Sequence, residues 1–269
     1  MEELKAGSFF GQTNRTFHLD GILLTDTEYT VDKVDWHYHE NSYFTFILAG
    51  QILEGNRKEK YHCSPGSLLF HNWQEPHYNI KPEGYTRGFH LEIQKEWFRE
   101  VLPDREVAEG SLQIDDPAVR LLFYQIFKET KMQDTLLYPA VESLLLQVFT
   151  ALLPQERKVY KNPPWVARLK ELLHDSYPDT LSLKALAVEV NIHPVHLSRD
   201  FPKYFHCSLG DYIRKVRTEK SFSLFYDKGL SLTEIALQCG FSDQSHFIRS
   251  FKSLNGLTPS AFRKIMLER

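Results

Sequence analysis

Cysteine is scarce in this 269-residue chain: Cys63, Cys207 and Cys239 are scattered and odd in number. That speaks against a disulfide framework and for a reducing cytoplasm. Long apolar runs are absent too. Nothing approaches the ~20 residues of a membrane helix, so no membrane partner is expected. The opening residues, MEELKAGSFF, are acidic and lack the charged-then-apolar pattern of a secretory signal. There is no hydrolase elbow, phosphate loop or zinc-peptidase motif, and the expectation is that the protein is not an enzyme. Net charge is small at −3, but it is unevenly spread. Residues 161–269 carry 16 Lys+Arg against 11 Asp+Glu, a balance of +5, whereas residues 1–160 carry 16 against 24, a balance of −8. A basic half joined to an acidic half fits one domain that meets nucleic acid and one that avoids it.

What is present is a repeat. Residues 181–201 read LSLKALAVEVNIHPVHLSRDF and residues 230–251 read LSLTEIALQCGFSDQSHFIRSF. Leu181 aligns with Leu230 at an offset of 49, and Leu197, Arg199 and Phe201 align with Phe247, Arg249 and Phe251 at an offset of 50, so the second turn is one residue longer. Each copy has the parts of a helix-turn-helix. Ala187 and Ala236 let a second helix cross closely. Asn191 and Gly240 tolerate positive φ in the turn. Leu183, Leu186, Leu197 and Phe201 form one apolar face, and Ile235, Phe241, Phe247 and Phe251 the other. His193-Pro194 and Ser242-Asp243 start the second helices, and Ser231 with Glu234 makes a capping box. Two copies are too few for a solenoid.

Upstream, residues 8–93 read as short strands: YFTFIL at 43–48 is aromatic and β-branched, Gly55-Asn56 resembles a hairpin turn, and SPG (64–66) and WQEPH (73–77) are further turn signals. Such a pattern predicts a small barrel or sandwich. Residues 115–153 change to helical spacing. One helix starts at Asp115-Asp116-Pro117 and carries Leu121, Leu122, Ile126 and Phe127. A second begins near Pro139 and carries Val141, Leu144, Leu145, Val148 and Phe149. PQERKVYKNPP (154–164) reads as a linker, after which Val166, Leu169, Leu172 and Leu173 open a C-terminal domain. The expected boundaries are 1–112, 113–160 and 161–269.

The stretches SLGDYIRKVR (208–217) and IALQCGFSDQSHFIRSFKSLNGLTPSAFRK (235–264) resemble the DNA-binding domain of AraC/XylS-type transcription regulators. The resemblance covers roughly 164–266. It implies seven helices, with two helix-turn-helix units joined by a long helix near 208–227, and recognition helices entering major-groove segments about 34 Å apart. Carried over by position, it implies that Val195, His196, Ser198 and Arg199 face the groove from one unit, and Gln244, Ser245 and Arg249 from the other. Lys203 and Lys252 are assigned to phosphate. The rival role for Arg199 and Arg249 is structural, bridging to nearby acids. His193 departs from the small capping residue usual there, which weakens the cap.

Period-two spacing puts His37 and His39 on one strand face. With Gly50, they resemble the first motif of a cupin barrel, and Pro65-Gly66 and Pro76-His77 resemble the second. Tyr43 stands where that motif has its metal-binding glutamate. Three readings stay open: a divalent metal on His37, His39 and His77, a metal-free effector pocket, or hydrogen bonds within the sheet. The expectation taken forward is a pocket without resident metal or other cofactor, formed by His37, His39, Tyr43 and His77 with Trp36, Phe46, Phe70 and Trp73. The expected fold class is α+β in two domains: a cupin-like β-barrel followed by helices, then an all-α domain with two helix-turn-helix units. The expected function is an effector-controlled, sequence-specific regulator bound to double-stranded promoter DNA. It would be a homodimer through the helices at 116–153 and would work with RNA polymerase. The competing readings are a metal-dependent cupin enzyme with an accessory DNA-binding domain, and a constitutive regulator whose barrel only dimerises.

Overall fold

A computed structural model describes residues 2–72, 74–103, 107, 109–132, 135–153, 163–179 and 182–267. Leu181, Trp73 and most of the 154–164 linker lie outside the described residues. The chain forms two compact units, one within Met1–Leu153 and one within Pro154–Glu268.

The first unit holds β1 (Glu2–Leu4), β2 (Gln12–Leu19), β3 (Ile22–Glu28), β4 (Lys33–His39), β5 (Ser42–Ala49), β6 (Ile52–Asn56), β7 (Lys60–Cys63), β8 (Leu68–Asn72), β9 (His77–Ile80), β10 (Arg87–Ile93) and β11 (Gly110–Gln113). Three helices join them: α1 (Lys95–Val101), α2 (Pro117–Met132) and α3 (Leu137–Leu152). The strands form two sheets, ordered β1-β4-β9-β6-β7 and β11-β8-β5-β10-β3-β2. The expected cupin-like barrel or sandwich takes the form of two facing sheets that do not close into one barrel. Imidazole and aromatic rings fill the gap between them, so the sheets meet through side chains, and among the described residues no hydrogen-bonded ladder joins one sheet to the other.

Strand β5 shows how the unit is layered. It is buried at every position because it sits in the middle of three layers. Its odd-numbered residues, Tyr43 and Thr45, face the other sheet. Its even-numbered residues face helices: the Phe44 ring lies 4.9 Å from Phe123, and Phe46 lies 4.6 Å from Tyr124. Asp116 caps α2 by accepting the Ala118 N–H at 2.8 Å, as its place before Pro117 predicts. The hairpin differs by a few residues from its expected position. Gly55 is inside β6, and the turn is made by Asn56, whose side chain accepts the N–H groups of Lys58 and Glu59 at 2.8 and 2.7 Å. Gly55 is needed instead for close approach, since a Cβ there would collide with the Tyr78 ring.

The second unit has seven helices among its described residues: α4 (Pro164–Asp175), α5 (Leu183–Glu189), α6 (Pro194–Phe205), α7 (Leu209–Leu224), α8 (Leu232–Gln238), α9 (Gln244–Asn255) and α10 (Pro259–Leu267). The turn positions behave as their residue types require. Asn191 has φ 55° and Gly240 has φ 82°. Any side chain at Gly240 would also press on the Pro178 carbonyl, so glycine is doubly required. Leu169, Leu173, Leu186, Leu197 and Phe201 bury the first core with Tyr212 and Val216 of α7. In the second core of this unit, Phe222 and Phe262 flank Phe251 with ring centroids 5.1 and 5.7 Å away, the first tilted and the second edge-on. α7 thus contributes to both cores, which makes it a rigid strut between the two helix-turn-helix units.

Candidate functional site

The gap between the sheets is a buried polar cavity. His37 and His39 come from β4, His77 and Asn79 from β9, Glu54 from β6, Tyr43 and Thr45 from β5, and His90 from β10. The ligand atoms of His37, His39 and His77 lie within 4.8 Å of one another, and all three residues are buried. Burial pushes the His37 and His39 imidazoles below their usual range, and it holds His77 and His90 down at about 3. They are neutral at pH 7, and two tautomers follow from their partners. The His37 Nδ1 lies 2.8 Å from the Asp35 carbonyl, and the His77 Nδ1 lies 2.9 Å from the Glu75 carbonyl. A carbonyl only accepts, so each Nδ1 carries the proton and each Nε2 presents a lone pair. The His77 lone pair accepts from the Tyr43 hydroxyl at 2.9 Å. The His39 Nδ1 has no hydrogen-bond partner.

One wall is anionic. Glu54 is 3% exposed, and burial alone would raise its carboxyl, but His71, His77 and Asn79 hold it at about 2. The His71 Nε2 is 3.0 Å from Glu54 Oε1, off the line of a good hydrogen bond. Glu92 behaves oppositely: burial lifts it to about 7, against the pull of the Gly7 N–H at 2.6 Å and of Asn41. The chain leading away from Gly7 closes the cavity. Phe9 stacks on His90 at 3.6 Å, and Phe10 meets His37 edge-on at 5.1 Å. The free volume left is ≈ 20 Å³, room for about one water.

Several of the pocket expectations are corrected. Phe46 and Phe70 face the helices; the Phe70 ring is 6.0 Å from Phe149. Parity is the reason, because Phe46 is three residues from Tyr43 and Phe70 pairs with Phe44 across the sheet. Trp36 points outward, 40% exposed, against Tyr78. Glu54, His90, Phe9 and Phe10 line the cavity but were not among the expected residues, and His71 packs beside it against Tyr43 and His77.

The second site is the exposed surface of α6 and α9. Val195 is 63% exposed, and His196, Ser198 and Arg199 are exposed beside it. Ser245, Arg249 and Lys252 are exposed on α9. His193 does cap α6, its Nδ1 accepting the Val195 N–H at 3.3 Å. The two repeat-equivalent arginines are used differently. Arg199 pairs with Asp200 at 3.0 Å, whereas Arg249 makes no hydrogen bond or ion pair among the described residues. Gln244 is pre-oriented, its Oε1 accepting from Thr233 at 2.7 Å, which leaves its amide nitrogen for a base edge. Lys203 is exposed, with its ammonium 5.1 Å from the Tyr204 ring centroid. Two other arginines serve the fold. Arg217 donates to the Tyr177 and Asp179 carbonyls at 2.8 Å each, and Arg263 binds the carbonyls of Phe225, Asp227 and Leu230.

These two sites define a class: a β domain with a buried polar cavity and, in the same chain, a helical domain with paired helix-turn-helix units. The AraC-like ligand-binding domain family matches residues 21–173, and a helix-turn-helix domain family matches residues 186–265. The chain belongs to the AraC family. It is similar to the Msm operon regulatory protein of Streptococcus mutans, 34% identical over 100 residues, 37% of this chain and 36% of that protein. It is also similar to the uncharacterized HTH-type regulator YbfI of Bacillus subtilis, 25% identical over 252 residues, 86% of this chain and 89% of that one. The structure of ToxT from Vibrio cholerae aligns with 93% of this chain and 100% of its own at 14% identity, TM-score 0.39. With the first curated relatives the match spans about a third to a half of their length, 36% and 56% for two of them. Among the described residues no helix is long and apolar enough to cross a membrane.

Proposed function

We propose that this protein is a cytoplasmic, sequence-specific DNA-binding transcription regulator that is not an enzyme, whose β domain binds a small effector. The observation that carries the reading is the pair of helix-turn-helix units with polar, exposed recognition faces on a domain of net positive charge. Double-stranded promoter DNA is the partner, and RNA polymerase is the machinery it acts on. The helices α2 and α3 supply a homodimer contact. Leu136 at 63% exposure and Leu146 at 37% support this, since both lie at the outer surface of that helical pair.

Gln244→Ala and Arg249→Ala should each lower affinity for the specific site by ~1–3 kcal/mol and relax preference at one half of it. Lys252→Ala should weaken all sequences about equally. The check is competition binding against a randomised half-site library; equal losses on specific and random DNA for Gln244→Ala would contradict base reading.

The effector is a hydrogen-bond donor. The cavity offers the Glu54 carboxylate, the inward His37 Nε2 and the unpartnered His39, and anything larger than water must displace Phe9. A polyhydroxylated or amine-bearing compound fits this chemistry. His39→Ala should abolish effector response and leave basal DNA binding intact, as read by DNA binding with and without effector; unchanged response in both His39→Ala and His77→Ala would sink the pocket. A second reading has one observation in its favour. Nδ1–H bonds from His37 and His77 to backbone carbonyls are the outer-shell arrangement of metal-binding histidines, and three neutral imidazoles suit Zn²⁺. The metal would supply a Lewis-acidic anchor for an effector oxygen. We expect substoichiometric metal after chelator dialysis, because Tyr43 replaces the carboxylate and its hydroxyl occupies the His77 lone pair. Stoichiometric zinc surviving that treatment would establish the second reading.

A further inference from the structure

We propose that the first turns of α7 and the adjoining flank of α9 form a cleft that grips the DNA backbone between the two recognition helices. The proposal rests on the DNA-binding reading above and adds a phosphate site centred on α7, which meets the recognition face of α9 only at Arg249. The cleft runs from Cys207, at the junction of α6 and α7, past Arg214 and Lys215 of α7 to His246, Arg249 and Ser250 of α9. Its position follows from the chain path. His206 ends α6 in the left-handed region at φ 56°, the chain reverses, and Ser208 caps α7 immediately. The cleft therefore joins the end of one recognition helix to the middle of the other. When two such helices enter successive major-groove segments, the phosphates bordering the intervening minor groove pass over the surface between them.

The charges there are suited to phosphate. Three cations line the cleft against one carboxylate, Asp211. That carboxylate is already engaged, accepting from the Ser208 hydroxyl at 2.5 Å and from Arg214. Lys215 is half-buried yet makes no hydrogen bond or ion pair among the described residues; Arg249, which is exposed, makes none either. Other basic residues of the unit are committed elsewhere: Arg217 and Arg263 to backbone carbonyls, and Arg199 to Asp200. The ordinary alternative, a solvated basic face, would leave Lys215 extended into water. A concave site with a hydroxyl, an imidazole, the uncommitted Lys215 and Arg249, and Arg214 paired to Asp211 offers what a phosphodiester needs.

The test uses the full chain and one duplex containing its site, one without. Arg214→Gln and Lys215→Gln should each reduce the slope of log affinity against log salt by ~0.9. Both should weaken specific and random duplex by the same factor, so the specificity ratio holds. Cys207 provides a second readout that needs no variant: it is half-exposed, whereas Cys63 and Cys239 are buried. Its alkylation by a maleimide should be suppressed by duplex DNA and not by inorganic phosphate at the same phosphate concentration. Unchanged slopes in both variants, or a Cys207 that alkylates equally fast on DNA, would overturn the proposal. Equal protection by inorganic phosphate would make the cleft a small-anion site and overturn the backbone assignment. If the unaltered chain binds no duplex at all, the functional reading fails instead. If it binds and Gln244→Ala shifts its base preference while these slopes stay fixed, only the cleft is wrong.

Discussion

Asp26→Ala should destabilise the β unit by about 3–5 kcal/mol, because it strips the counter-ion from two buried cations. Asp26 is 4% exposed on β3. It receives Arg87 Nε and Nη2 at 2.7 and 2.6 Å and the Lys131 ammonium at 3.1 Å. Both cations also lie over the Phe127 ring, at 5.4 and 5.1 Å. The cluster ties β3 and β10 to α2, so its loss should detach the helical layer from the sheet. Burial raises the Asp26 carboxyl, but Arg87 and then Lys131 overcome this and hold it below its ordinary value. Lys131 is itself pulled down by burial despite Asp26. The two directions agree once the bidentate Arg87 is seen to neutralise the carboxylate first. Because the folded pKa of Asp26 is depressed, its contribution is fully present above the unfolded value of about 4 and is lost as pH falls through the folded value. Urea unfolding followed by a probe in each unit measures the effect. A loss under ~1 kcal/mol, or an equal loss in the C-terminal unit, would contradict it.

Residues 160–269 alone should bind duplex DNA, and their affinity should fall by ~10³ between 50 and 200 mM salt if about six phosphates are neutralised. The fragment has its own buried cores and needs nothing from the β unit to form them. Footprinting on promoters beside the gene, repeated across a salt series, tests both halves of the statement. No protected site at any salt concentration would remove the main support for a DNA-binding regulator. A protected site with a flat salt response would contradict the charge argument while sparing the helix-turn-helix reading.

The C-terminal unit was legible because its determinants are local. Asn191 and Gly240 at positive φ, the Ser231–Glu234 capping box and the apolar spacing around Phe247 and Phe251 act within a few residues, so sequence order is enough to read them. The same holds for the start of α2 at Asp116-Pro117. In the β unit the residues alone determined that His37 and His39 share a face, since strand period is local as well. Only the tertiary structure decided what they face. Glu54, His71 and His90 come from three other strands, and their meeting depends on which strands pair and in what register. A slip of one residue would turn each to the opposite side. Pairing likewise decided that the strands make two sheets and that Phe46 and Phe70 serve the helical layer. Phe9, from a segment between β1 and β2, reaches His90 across most of the domain's sequence. No spacing rule relates them, because burying an aromatic ring against an imidazole specifies a place in space and not a distance along the chain.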